Sequence, residues 1–299
     1  MAKVYFTKEI TPDSLRRIFG SLGVELKGKV GVKVSTGEKG AKGYLKADLI
    51  GPFVKSLNGT ILECNTAYPG ARNTVEDHLQ VAKDHGFTSF ADVDILDADG
   101  EKKIPVPAGS KHLKYDLIGD HFDNYDSFVN LAHAKGHIMG GFGANLKNQS
   151  IGFASRKGKA YIHSCGKTKS PKLCWLSHHD QIDFIESMAE AATAVADYIA
   201  AEGKQIVYIT VMNDVSTLCD CAEDQDDPVM PDLGIIASLD PVANDQAFVD
   251  LVWRFAADHP DHSGVKALQE RIDSRLGREI LPYSESLGLG SREYDLIEV

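Results

Sequence analysis

No stretch of the 299 residues approaches the roughly 18 consecutive apolar residues that span a bilayer, so no membrane helix is expected. The opening Met1-Ala2-Lys3-Val4-Tyr5-Phe6-Thr7 contains no apolar run of signal-peptide length, which points to a cytoplasmic protein. Cysteine is scarce and odd in number, at five, which argues against a full disulfide framework. In a reducing compartment these residues are expected as buried thiols, metal ligands or a redox site. Basic charge is also in deficit: 32 Lys and Arg against 43 Asp and Glu leave a net charge of -11. A duplex-binding face needs the opposite balance, so nucleic acid is not an expected partner. The chain has no internal repeat, low-complexity tract or obvious linker. It reads as one domain over residues 1–299, with two lobes joined near 164–178 as the alternative.

Hydrophobic residues make up 43% of the chain and charged residues 25%, enough for a sizeable core. Val30-Gly31-Val32-Lys33-Val34 and Thr60-Ile61-Leu62-Glu63-Cys64 read as strands. Between them Ala47–Leu57 suits a helix, with Gly51-Pro52 set to kink it or move its start. Asn73 and Glu76 fit a capping box for a helix that stops at Gly86. Short strands follow, the clearest being Ser127–Ala132. Gly136, Gly140, Gly141, Gly143, Gly152 and Gly158 then crowd a stretch without apolar periodicity, which reads as loop. Ile182, Ile185, Ala189, Ala192, Ala196 and Ile199 mark one helical face that ends near Gly203. Strands are predicted at Gln205–Met212, Leu233–Leu239 and Tyr294–Val299. Asp240-Pro241 starts a helix as N-cap and first-turn proline, and another helix is predicted near Val265–Leu276. The alternation implies an α/β fold with a mostly parallel sheet and crossover helices.

The chemistry concentrates in His133–Asn148, directly after the predicted strand 127–132. Ligands of open α/β sheets bind beyond the carboxyl ends of strands. His133, His137, Lys135 and Lys147 there could hold an anion, a metal or a proton in transit, while glycines let backbone approach a ligand. His163 lies at the far side of the same stretch. A second constellation is Cys219-Asp220-Cys221 with Glu223, Asp224, Asp226 and Asp227 after the strand 205–212. It reads either as metal ligands or as a solvated acidic loop. Cys165 and Cys174 match no cluster spacing, and Cys64 reads as a buried thiol. Arg72 at a helix start suits a carboxylate or phosphate ligand. Ser35–Gly40 lacks the full phosphate-loop pattern. His178-His179-Asp180 reads as the structural lead-in to a helix.

Lys135-Gly136-His137 with Gly141-Phe142-Gly143 and Leu146-Lys147-Asn148 resembles the signature of the domain of unknown function 362 family, an uncharacterised prokaryotic family. Val32-Lys33-Val34, Asn65-Thr66, Asp77-His78, Cys219-Asp220-Cys221, Pro231-Asp232-Leu233-Gly234 and Asp240-Pro241-Val242-Ala243 match as well, so the resemblance spans nearly the whole chain. Members are often labelled iron–sulfur proteins and many carry a ferredoxin module after the position of His163. Here Ser164–Ser177 is short and holds only Cys165 and Cys174, so that label does not transfer. The glycine-rich segment is also distantly similar to one in nickel-pincer lactate racemases. That resemblance implies a proton-transfer role for His137, cofactor tethering for Lys147 and metal ligation for His163. It also implies a fold similar to the racemase amino-terminal domain. The racemases' other catalytic histidine and their arginine have no secure counterpart.

The combined expectation is a metal- or metallocofactor-dependent protein that does acid/base chemistry on a small anionic molecule. His137 and Lys147 are the catalytic candidates. Lys135, Lys147, Arg72, Gly141 and Gly143 are the binding candidates. His163, Cys219 and Cys221 are the candidate ligands of a nickel, zinc or iron ion. An iron–sulfur-linked electron-transfer accessory and a non-catalytic small-molecule binder remain the alternatives. The sequence leaves the oligomeric state undetermined.

Overall fold

The computed structural model describes residues 1–220 and 227–299. Among them the strands are β1 (Ala2–Thr7), β2 (Val30–Lys33), β3 (Thr60–Glu63), β4 (Val93–Ile95), β5 (Glu101–Ile104), β6 (Asp116–Gly119), β7 (Ser127–His133), β8 (Lys135–His137), β9 (Gly141–Gly143), β10 (Gln205–Met212), β11 (Gly234–Ser238) and β12 (Tyr294–Glu298). The helices are α1 (Pro12–Ser21), α2 (Ala47–Ser56), α3 (Val75–Asp84), α4 (Asn145–Phe153), α5 (Arg156–His163), α6 (Gln181–Ala201), α7 (Pro241–Asp258), α8 (Ser263–Ser274) and α9 (Ile280–Ser286). No helix among the described residues is long and apolar enough to cross a membrane.

Eight strands form one sheet in the order β12-β1-β11-β10-β7-β2-β3-β4. Every neighbouring pair is parallel except the two that involve β11. The fold is therefore α/β with a mostly parallel sheet, as the alternation implies. From β2 the chain steps outward through β3 to β4, then returns to the other side of β2 as β7 and continues to β10. The winding thus reverses between β2 and β7, and such a reversal opens a crevice beyond the carboxyl ends of the strands.

β7 is buried along its whole length, and its alternation serves two layers. Val129 and Leu131 join Leu15, Ile18, Phe53, Val54 and Ile209 on the side of α1 and α2. Phe128 packs with Phe122 and Phe153 on the side of α4 and α6. Each fully buried aliphatic or aromatic side chain of this kind contributes about 1.5–3 kcal/mol. Local signals start the helices. Thr11 and Ser14 form a capping box for α1, and Asp180 and Asp183 do so for α6. Asp240 Oδ1 accepts the Val242 and Ala243 N–H groups at 2.9 and 3.0 Å, with Pro241 in the first turn of α7.

Three sequence readings need correction. α3 is capped by Thr74, whose hydroxyl accepts the Asp77 N–H, and not by Asn73. Pro52 lies inside α2 and does not move its start from Ala47, with the flanking Ile50, Phe53 and Val54 buried. The glycine-rich stretch is mostly regular structure: β8 and β9 form a hairpin, and α4 and α5 follow. The first turn of α4 is closed from outside, since the Asp245 carboxylate accepts the Asn145 and Leu146 N–H groups at 2.8 and 2.9 Å. Burial pushes the Asp245 carboxyl up to about 7.

Candidate functional site

A cavity of about 530 Å³ opens in the crevice between β2 and β7. Strand ends supply part of its wall: Lys33 and the following Ser35 at the end of β2, Glu63 and the following Cys64 at the end of β3, His133 at the end of β7 and Lys135 at the start of β8. Lys147, Asn148 and Gly152 enter from α4, and Lys159 and His163 from α5. Tyr68, Arg72, Trp175, Cys219 and Asp220 come from loops. His137, Lys147, His163, Lys135, Arg72 and Gly143 thus share one space. Gly141 does not line it. Its φ is +78°, and a Cβ there would stand 2.7 Å from the Gly277 backbone, so it serves the hairpin turn and its packing.

Five cations and two carboxylates face this space in a protein whose net charge is -11. Most of the cations are already partnered. Lys33 donates to Glu63 Oε2 at 2.9 Å and to Asn148 Oδ1 at 3.3 Å. Glu63 Oε1 accepts from the Thr36 N–H at 2.8 Å, the Thr36 hydroxyl at 3.0 Å and Arg72 at 3.2 Å. Burial alone would raise the Glu63 carboxyl, but Lys33, His78 and Arg72 overcome it and hold the group well below its usual range. The Ser35–Gly40 loop therefore spends its Thr36 donors on Glu63. Arg72 sits in the loop before α3, also donates to the Tyr68 hydroxyl at 2.9 Å and lies 3.5 Å from Glu38. That ion pair is made by its buried Nε, which has no shorter hydrogen bond.

Lys135 and His133 share Asp220. The Lys135 ammonium bonds Asp220 Oδ2, and His133 Nδ1 lies 3.0 Å from Oδ1. The second ring nitrogen of His133 faces the Asn213 carbonyl at 2.7 Å. Burial would raise the Asp220 carboxyl, but Lys135 and the hydrogen bond from His133 push it far down. Lys159 donates to the carbonyls of Ala154 at 2.6 Å and Cys64 at 3.4 Å. Among the described residues Lys147 is the lysine of this cavity whose amine makes no hydrogen bond or ion pair. Burial, reinforced by Lys135, lowers it to about 7. A Cβ at position 143 would lie 3.2 Å from Lys147 Cδ, so glycine there leaves the side chain its path.

The two histidines are held in opposite senses by main chain. His137 Nδ1 accepts the N–H groups of Met139 at 3.2 Å and Gly140 at 2.9 Å. The neutral ring then carries its proton on Nε2, so the nitrogen left for the cavity is a donor. His163 Nδ1 lies 2.7 Å from the Lys159 carbonyl one turn back in α5 and must donate to it. Its Nε2 then carries a lone pair. Burial, with Lys147 nearby, lowers both: His137 well below the usual imidazole range and His163 to about 4. Trp175 and Phe184 hold the His163 ring, with centroids 5.0 and 5.1 Å away.

Cys219 is at the cavity wall and is disulfide-bonded in this structure. Cys221, Glu223, Asp224 and Asp226 lie outside the described residues. Cys64 lines the cavity as a buried thiol that donates to the Phe153 carbonyl at 3.4 Å, and burial pushes its pKa far up. Cys165 and Cys174 are buried and free. Sequence reasoning passed over Lys33, Glu63 and Lys159. The available signal was a charged residue closing each apolar strand, Lys33 in β2 and Glu63 in β3, at the edge where ligands bind.

Residues 30–250 match the family described as Domain of unknown function (DUF362). No curated protein matches the chain. One similar solved structure is the lactate racemase apoprotein from Thermoanaerobacterium thermosaccharolyticum, at 15% identity and a TM-score of 0.41, covering 72% of this chain and 51% of that one. Another is a protein from Thermotoga maritima, at 11% identity and a TM-score of 0.43, covering 90% and 58%. The chain therefore spans between half and three-fifths of the length of these two structures. With the family match covering most of its length, the chain belongs to the DUF362 family.

Proposed function

We propose that this member of the DUF362 family is an enzyme that binds a small organic anion in the β2–β7 crevice and performs acid/base chemistry on it. The observation that carries the reading is the pair of neutral imidazoles in one cavity, one presenting an N–H and the other a lone pair. An N–H from His137 stabilises negative charge that develops on a substrate oxygen. The excess of lysine and arginine supplies the attraction for the anion. A lone pair on His163, fixed by a backbone carbonyl, is the arrangement that metal-binding histidines use.

Among the described residues no group of three or more His, Cys, Asp or Glu side chains is arranged to hold an ion. A nickel, zinc or iron ion carried within an organic cofactor needs fewer protein donors, and the residues present fit that case. His163 would ligate it, Lys147 would tether the cofactor, and reduced Cys219 with Cys221 would supply further donors. When bound, such a group supplies Lewis acidity. The chain's own residues then bind the anion, orient it and hold a proton at His137 Nε2.

Two measurements test the reading. Oxalate should quench Trp175 fluorescence saturably, and Arg72→Gln should weaken that binding at least several-fold. In deuterium oxide, cofactor-replete protein should exchange the carbon-bound proton of a small 2-hydroxy acid, followed by NMR. His137→Gln should slow this exchange about 10²-fold or more, the usual scale for general acid/base or oxyanion contributions. Oxalate that leaves Trp175 unchanged at millimolar concentration would refute the anion site.

A further inference from the structure

We propose that Lys147, while it carries no cofactor, is a nucleophile toward carbonyl compounds, capturing a small 2-oxo acid as an imine while the Arg72–Lys135 side of the cavity holds its carboxylate. The inference rests on the anion-binding reading above and names the substrate class of that same site.

Four lysines line the cavity, and three of them are engaged. Lys33 is bonded to Glu63, Lys135 to Asp220 and Lys159 to two backbone carbonyls. These hydrogen bonds hold the three amines on protein acceptors and away from an incoming carbonyl. Lys147 alone of the four has no hydrogen bond or ion pair among the described residues. It sits in the first turn of α4, clear of Gly143. Crowding by other cations and burial keep a lysine amine neutral near physiological pH, the activation used wherever lysine attacks carbonyls, and Lys147 is lowered to about 7.

The neighbours complete the set. Lys135 has N–H groups beyond the one spent on Asp220, and Arg72, whose Nε faces Glu38, has terminal N–H groups beyond those spent on Glu63 and Tyr68. Both can receive a carboxylate. The His137 Nε2–H is suited to the carbonyl oxygen next to it. In the reaction the Lys147 nitrogen adds to the carbonyl carbon. A C–N bond forms, the C–O bond breaks, and both amine protons leave with the oxygen as one water. No oxidant or reductant is needed.

Pyruvate is the probe, with L-lactate as the control that lacks a carbonyl. Cofactor-free protein is incubated with either, treated with sodium borohydride, digested and analysed by mass spectrometry. Hydride delivered to the imine carbon leaves a stable secondary amine, heavier by pyruvic acid less one oxygen atom. The expected result is one dominant adduct on the Lys147 peptide with pyruvate, none with lactate, and loss of the adduct in Lys147→Met. Arg72→Gln should raise the pyruvate concentration for half-labelling at least several-fold with Lys147 intact. No adduct, or labelling spread across surface lysines in proportion to their exposure, overturns the proposal. Mapping the adduct in the unaltered protein keeps the test decisive if Lys147→Met folds poorly. Oxalate quenching of Trp175 without any pyruvate adduct removes the imine and leaves the anion site. Loss of both removes the two together.

Discussion

Replacing Lys147 by methionine should make the protein more stable, and the gain should disappear as the pH rises. The amine is lowered from 10.5 to about 7 by burial and by Lys135. At 1.36 kcal/mol per pH unit, that displacement corresponds to about 5 kcal/mol. The side chain keeps some solvent contact, so screening reduces this to about 2–3 kcal/mol. Below pH 7 both the folded and the unfolded chain carry the proton, and the folded state bears the full cost of a charged amine in the cavity. Between pH 7 and 10.5 only the unfolded chain holds the proton, so the stability of the natural protein rises with pH until the cost is gone. Methionine has a similar shape and no charge, so the variant lacks this dependence. Urea unfolding of both proteins from pH 6 to pH 10 measures the difference, in which other titrating groups largely cancel. A shift of the midpoint by about 1 M in favour of the variant at pH 6–7, shrinking toward zero by pH 10, is expected for an m-value of ~3 kcal/mol/M. A variant less stable than the natural protein at pH 7, or a difference that does not change with pH, would refute the account of Lys147 as a neutral amine held at a cost to stability.

Gly136→Ala should destabilise by about 1–3 kcal/mol in denaturant titrations, since its Cβ would stand 2.5 Å from the Thr217 backbone oxygen. Gly20→Ala, in α1 with nothing within 4 Å, should instead add about 0.5–1 kcal/mol. Asp245→Asn weakens the acceptor of two α4 amide groups and should cost about 1–2 kcal/mol by the same titration, with protection of the first α4 amides falling in hydrogen exchange. His121 is raised by its bonds to Asp94 and Asp99 at 2.8 and 2.7 Å. Its stabilisation is complete below the unfolded imidazole value and is lost as pH climbs through the folded one. Thermal melts should therefore separate His121→Gln from the parent at pH 5.5 and bring the two together by pH 9.

How much could be read from the sequence depended on whether the partner of a signal lay nearby. Asp240-Pro241 was legible because N-cap and first turn are adjacent, and Gln205–Met212 because Ile206, Val207, Ile209, Thr210 and Val211 are β-branched. α4 was not, because the carboxylate that closes its first turn is Asp245, a hundred residues along the chain. Its glycines also look like loop until Gly152 is seen against Lys33, where a Cβ would stand 2.8 Å from Cε. At the site, His137, Lys147, His163, Lys135 and Arg72 were visible as reactive residue types near one sheet edge. Lys33 and Glu63 were hidden inside apolar strands, and their meaning comes only from the pairing of β2 with β3. Gly141 was misread because a turn glycine and a ligand-side glycine look alike in sequence.

The hydrogen-bond sense of both cavity histidines is set by main chain: the amides after His137 and the carbonyl of residue 159 before His163. Side-chain substitution cannot easily reverse either. Divergent copies of this fold can therefore exchange the lining around the two rings, and so change the molecule they accept, while inheriting the same donor and the same acceptor. In such a lineage, chemistry would be the slowly changing trait and ligand choice the quickly changing one. Replacing residue 139 or 140 with proline, which removes an amide at the His137 ring, is the rare kind of substitution that would alter the first.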